Sequence, residues 1–266
     1  MTDARGARPN GEAPARHTPG TPCRVSLMVH GLGTTEEFYG ALFGWEFRPG
    51  PQQPGPSVRA LLDGQEVAGI GSLPPERCPR PAWTPWFASD DVDLTAEAVR
   101  SCGGTIGVGP LDAAGAGRLA IGSDPGGAVF GICRASGPSG TGVTGAPGSP
   151  AWNELTTYES THVTKFYAAV FGHETEPVAS ADLDHVTLHL NGRPVAGVRG
   201  VGNALPRNRG AHWMTYFTVT DTDEAVDRVV RLGGQVLEPA RESDRGRAAT
   251  VADPQGARFA LLQGPR

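Results

Sequence analysis

The 266 residues contain no apolar run near the roughly 18 to 20 residues that a membrane span needs. The first twenty, MTDARGARPNGEAPARHTPG, lack the apolar stretch of a secretion signal. A cytoplasmic protein with no membrane partner is expected. Lysine is almost absent, the net charge is −5, and the arginines are interspersed with acids. With no basic stripe to neutralise phosphates, nucleic acid is not an expected partner. The four cysteines, Cys23, Cys78, Cys102 and Cys133, form no CxxC pair and fall only in the first half. That spacing provides neither a zinc knuckle nor a disulfide framework, so reduced, packed thiols are expected.

What the chain does contain is itself, twice. TPCRVSLMVHGLGTTEEFYGALFGWE aligns without a gap on SPAWNELTTYESTHVTKFYAAVFGHE at an offset of 128 residues. LDGQEVAGI overlies LNGRPVAGV at the same offset. After a two-residue shift Trp83, Phe87, Asp91 and Asp93 meet Trp213, Phe217, Asp221 and Asp223, and DPGGAVF meets DPQGARF. The expected organisation is a disordered arm over residues 1–20, one domain over 21–134, a Gly/Ser/Pro linker over 135–150 and a second domain over 151–264. Two independently cored domains follow from such a linker.

Each copy reads as strand, helix and three strands, twice over. In the second copy Val163, Phe166, Tyr167 and Val170 recur at helical spacing before Gly172 stops the helix. LDHVTLHL and PVAGVRGV form a hairpin across Asn191-Gly192. HWMTYFTV opens the second unit, DEAVDRVVRLGG is its helix, and QVLEP, RAATVAD and ARFALLQ complete it.

FYGALFGW and FYAAVFGH, each followed by a strand, an Asp-x-Asp helix start and a closing DPxGAxF, resemble the vicinal-oxygen-chelate superfamily. The tandem form with WNEL opening one copy is similar to two-domain actinobacterial glyoxalase-like proteins. That resemblance implies an α+β fold: two tandem glyoxalase-like domains, each of paired βαβββ units with curled mixed sheets around a cleft. It also implies four metal-ligand positions on the first, fourth, fifth and eighth strands of each copy. Carried over, these fall at or near Trp152, Gly197, Thr215 and Ala260, and at Arg24, Gly69, Pro85 and Gly131. Most have no ligating side chain, so no metal and no cofactor are expected. His185 and His189, four apart on one strand, stand roughly 13 Å apart along it and cannot share an ion.

Strand alternation assigns the cleft. With Val186, Leu188 and Leu190 toward the core, His185, Thr187 and His189 face the cleft, joined by Trp152, Glu154 and Thr156 from the opening strand. Trp213, Thr215, Phe217 and Arg258 are expected from the other half, with His212 turned away. Copy one offers Arg24, Ser26, Arg59 and Trp83, with Met28 and Phe87. Ser26 stands where copy two has Glu154, so copy two is the expected working cleft. Glu154 is read as a general base, a ligand anchor or half of an ion pair with Arg258 or Arg199. Trp83 and Trp213 are read as stacking walls or as packing between units.

The expected function is binding of a small aromatic or polyketide-like metabolite in a metal-free cleft, by a monomer or homodimer. The chain would act as a metal-independent isomerase, lyase or cyclase of secondary metabolism, or as an antibiotic-sequestering resistance protein. A metal-dependent glyoxalase or dioxygenase is least favoured.

Overall fold

The computed structural model of the chain describes residues 17–51, 55–74, 80–113, 117–134, 145–179 and 184–264. Copy one runs β1 (Pro22–Val29), α1 (Leu32–Phe43), β2 (Glu46–Pro49), β3 (Ser57–Leu62), β4 (Gln65–Ser72), β5 (Trp83–Ala88), α2 (Val92–Ser101), β6 (Thr105–Ala113), β7 (Gly117–Ser123) and β8 (Val129–Cys133). Copy two repeats it as β9 (Pro150–Thr157), α3 (Ser160–Phe171), β10 (Glu174–Pro177), β11 (Asp184–Leu190), β12 (Arg193–Gly200), β13 (His212–Thr218), α4 (Thr222–Arg231), β14 (Gln235–Ser243), β15 (Gly246–Ala252) and β16 (Arg258–Gln263). The local signals act as their chemistry dictates. Asn191 and Gly192 both take positive φ in the tight turn of the hairpin, as Asp63 and Gly64 do in copy one. Gly44 and Gly172 end α1 and α3 in the left-handed conformation.

Each copy folds its two βαβββ units into one eight-stranded mixed sheet, ordered β2-β3-β4-β1-β5-β8-β7-β6 and β10-β11-β12-β9-β13-β16-β15-β14. The two units of each copy join through an antiparallel pair, β1 with β5 and β9 with β13. Among the described residues, no helix is long and apolar enough to cross a membrane.

The cores correct the expectation of two independent domains. One cluster packs Phe38, Tyr39 and Phe43 of α1 against Phe217, Val251 and Phe259 of copy two. The other packs Phe166, Tyr167 and Phe171 of α3 against Phe87, Phe130 and Val99 of copy one. The sheets turn their core faces toward each other, with Trp83 against Phe217 at 4.9 Å and Phe87 against Trp213 at 5.7 Å between ring centroids. An apolar helix stripe must be buried somewhere, and here the partner copy covers it.

Two buried polar chains cross the same boundary. Trp83 Nε1 donates to Tyr39 Oη at 3.1 Å, and that hydroxyl donates to Asp253 of the other copy at 3.1 Å. Trp213, Tyr167 and Asp124 repeat this in reverse at 3.2 and 3.1 Å. The FY and DPxG repeats are thus two halves of one interdomain contact.

The arm and linker are described only near their inner ends; residues 1–16 and 135–144 lie outside the described residues. Gly20 is buried, its N–H donating to Ala88 O at 2.8 Å while its carbonyl accepts His173 Nε2 at 2.8 Å. At the other end Trp45 Nε1 donates to Gly148 O at 2.8 Å.

Candidate functional site

Alternation along the strands puts one face of each sheet in the shared core and leaves the other pointing outward as the cleft. In copy two the register builds this cleft row by row. Arg199 lies beside Thr156 and His185, and His212 faces Thr156 from the other side. The next row runs Thr187, Gly197, Glu154 and Met214. Below it Trp152 meets Tyr216, which neighbours Ala260 and then Thr250. Arg258 alternates with core residues Phe259 and Leu261 and so joins the same outward face, two residues from Ala260.

This placement keeps Trp152, Glu154, Thr156, His185, Thr187 and Arg258 together as the pattern of the sequence indicates. His189 shares the face, but at its outer edge, with Nε2 3.4 Å from Glu176. On β13 the expectation is reversed. Trp213, Thr215 and Phe217 face the core: Trp213 belongs to the Tyr167 chain, Thr215 donates to Asn153 Oδ1 at 2.9 Å, and Phe217 packs on α1. The cleft receives His212, Met214 and Tyr216 instead. In copy one Trp83 and Phe87 are core residues for the same reason, and Trp86 takes the outward place. Both faces of HWMTYFT carry large apolar or aromatic side chains, Trp213 and Phe217 on one and Met214 and Tyr216 on the other, so alternation alone cannot orient the strand. The pairing of each Trp with a Tyr and an Asp of the two repeats is the signal that could have done so.

Glu154 is the centre of the site. It is 5% exposed. Its Oε1 lies 3.1 Å from Arg199 Nε and accepts from Tyr216 Oη at 3.3 Å; its Oε2 lies 3.3 Å from His185 Nε2. The Arg199 and His185 nitrogens sit at ion-pair distance but off the hydrogen-bond line, and both are buried without another partner. Burial pushes the Glu154 carboxyl up, but His185, Arg199 and Arg245 outweigh it and hold the group below its ordinary value. Burial and the Glu154 charge push the Tyr216 phenol up, so it stays a donor. Arg245, from the β14–β15 turn, lies 3.4 Å over the Trp152 ring. Gly197 makes room here: a Cβ would stand 3.1 Å from Trp152 Nε1 and 3.2 Å from Glu154 Oε2. Trp152 Nε1 is itself buried with no partner.

Copy one fills the same space with its own side chains. Trp86 lies flat on Gly131, where a Cβ would come within 2.1 Å of the ring, and Arg24 covers it at 4.1 Å. Its Nε1 donates to Ser26 Oγ at 2.8 Å. Arg59, on β3, stands two strands from Ser26 in the same row, across Gly69. A cavity of about 460 Å³ lies beside the C-terminus of α1 and the start of α4, and another of about 300 Å³ lies where β1 and β9 begin, reaching Arg24 and Trp152. The first is lined by Asp221, Glu224 and Arg228 of α4 and its N-cap, away from the buried group around Glu154.

A first-row divalent ion fits this donor set poorly. The outward residues of β12, β13 and β16 nearest Glu154 are Gly197, Met214 and Ala260, and Glu154 already faces a guanidinium. Among the described residues, no group of three or more His, Cys, Asp or Glu side chains is placed to hold a metal ion.

Residues 155–262 match the family model described as a glyoxalase-like domain. The anthracycline biosynthesis protein DauV of Streptomyces sp. strain C5 is 33% identical over 268 residues, covering 93% of this chain and 94% of that protein. CFP32 of Mycobacterium tuberculosis, named as a glyoxylase, is 35% identical over 255 residues, covering 92% and 95%. Among solved structures, the 2,3-dioxygenase LapB of Pseudomonas sp. KL28 superposes with a TM-score of 0.63 at 15% identity over 95% of this chain and 94% of its own. The Mn(II)-bound glyoxalase of Novosphingobium aromaticivorans gives 0.63 at 14% identity, over 93% and 85%. At that identity these two carry the fold alone.

Proposed function

The chain belongs to the glyoxalase-like family of vicinal-oxygen-chelate proteins, and from that premise we propose that its copy-two cleft binds a planar aromatic metabolite of secondary metabolism without a metal. Two relatives are named for anthracycline biosynthesis, which makes a fused aromatic polyketide the class of ligand to test. The observation that carries the reading is Glu154. An active-site base at neutral pH needs a pKa tuned toward that pH, whereas this carboxyl is held low by the cations around it. Its charge instead orients Arg199, His185 and Tyr216, and these with Trp152 and Arg245 make an aromatic wall with fixed polar anchors.

A second reading has its own support. His185 Nε2 lies 3.3 Å from Glu154, a carboxylate–imidazole pair that could carry a proton in a metal-independent isomerase, lyase or cyclase. In that reading His185 moves the proton and Glu154 positions it.

Titration of the purified chain with 1,8-dihydroxyanthraquinone, followed by calorimetry, tests the binding. A single saturable site is expected. Trp152→Ala, which removes the stacking wall, and Glu154→Gln, which removes a charge worth roughly 1.5 to 3 kcal/mol per hydrogen bond, should each weaken it about tenfold or more. Unchanged affinity in both variants places the ligand elsewhere. Under the second reading His185→Gln abolishes turnover of a substrate that it still binds.

A further inference from the structure

We infer that the cleft takes its aromatic ligand as an acid, with a carboxylate or phenolate seated at Arg258 and Arg209 beside His212. This rests on the binding reading above and deepens it by naming the ligand's charge.

Arg258 projects from β16 onto the outward face, and Arg209 and His212 stand where the β12–β13 connection enters β13. His212 shares the outward face with Met214, which pairs with Glu154. Both arginines are half-buried, and neither side chain has an acidic partner or a hydrogen bond among the described residues. Every other buried cation of this cleft is compensated: Arg199 by Glu154, and Arg245 by the Trp152 ring. Two half-buried guanidiniums within each other's field cost stability unless an anion joins them. Consistent with that, burial and the Arg258 charge bring Arg209 down to about 10.

His212 adds a direction. Its Nδ1 donates to Gly210 O at 2.8 Å. Burial, with Arg209 and Arg258 beside it, holds the ring at a pKa of about 4, so it is neutral at physiological pH. Nε2 is then an acceptor, suited to a hydroxyl adjacent to the anion. Two strand spacings, roughly 10 Å, separate the Glu154 strand from the Arg258 strand across Met214. A fused aromatic system fills that span. Copy one has Ala82 and Val129 at the places of His212 and Arg258, so the feature is confined to the cleft that also keeps Glu154.

The test compares 1,8-dihydroxyanthraquinone with its 3-carboxylate on the full chain. The carboxylate should bind at least tenfold tighter, with the advantage shrinking as salt rises. Arg258→Met and Arg209→Met should each remove most of that advantage. Both variants should also melt at higher temperature than the wild type without ligand, since each relieves a like-charge pair; this shows that loss of the advantage is not loss of fold. Equal binding of the two compounds, or an advantage that survives in both variants, overturns the anion site and leaves the cleft reading intact. Failure of both compounds to bind overturns both.

Discussion

Burial alone would drive the Glu154 carboxyl toward its neutral form, yet His185, Arg199 and Arg245 hold it below the ordinary value. A carboxyl whose pKa is lower folded than unfolded adds stability above its unfolded pKa, and loses it as pH falls through the folded one. Glu154→Gln should therefore be less stable than wild type by roughly 1 to 3 kcal/mol near neutral pH. The gap should narrow as pH falls below the ordinary value of 4.5 and close once it has passed the lower folded value. Denaturant unfolding from pH 3 to 8 measures it, and a gap that does not change with pH would sink the assignment. Glu154 itself was legible because its partner in the repeat is Ser26. Tyr216 and Met214 were not, since both faces of β13 look buried in the sequence.

The helices show how the repeat diverged without losing its caps. The N-cap of α1 is Gly31, which has no side chain to offer, and the turn that leads into the helix is held from copy two instead. Gln255 Oε1 accepts from His30 N at 3.0 Å and Gly31 N at 2.9 Å, while its Nε2 donates to Gly31 O at 2.9 Å and Thr35 Oγ1 at 2.7 Å. At the matched place α3 has Glu159, which caps its own helix through Thr161 N at 3.0 Å and His162 N at 3.1 Å. The opposing DPGG turn accordingly has Gly126 where DPQG has Gln255. Gln255→Ala should cost about 1 to 2 kcal/mol. Adding Gly31→Asp should recover part of it, because a Cβ at Gly31 meets nothing closer than 3.6 Å. Melting temperatures of the single and double variants decide this; no recovery would mean that Gln255 acts through the turn and not through the cap.

At the scale of the molecule, the crossed cores make the two copies one cooperative unit. Separating them exposes Phe38 and Phe43 of copy one with Phe217 and Phe259 of copy two in one core, and Phe87 and Phe130 of copy one with Phe166 and Phe171 of copy two in the other, at roughly 2 kcal/mol or more for each side chain. Calorimetry of the full chain should show one transition whose van't Hoff and calorimetric enthalpies agree. Two resolved transitions would restore independent domains. Tyr39→Phe, which leaves Trp83 Nε1 and one oxygen of Asp253 without their partner, should lower that single transition as a whole, by about 1 to 3 kcal/mol.

Repetition, hairpin turns and helix stops are local, so the sequence alone determined the element order, the tandem fold and the outward face of β9 and β11. On each strand a wholly buried leucine, Leu155 or Leu188, is flanked by polar neighbours, Glu154 and Thr156 or Thr187 and His189. Which way β13 faces, which copy covers each helix, and what Asp124 and Asp253 bind were decided only by tertiary structure. A strand apolar on both faces carries no orientation of its own, and a linker's flexibility says nothing about which faces meet across it. Packing against the other copy settled these points, because Trp83 and Trp213 reach the Tyr–Asp pairs that bury them only from the core side.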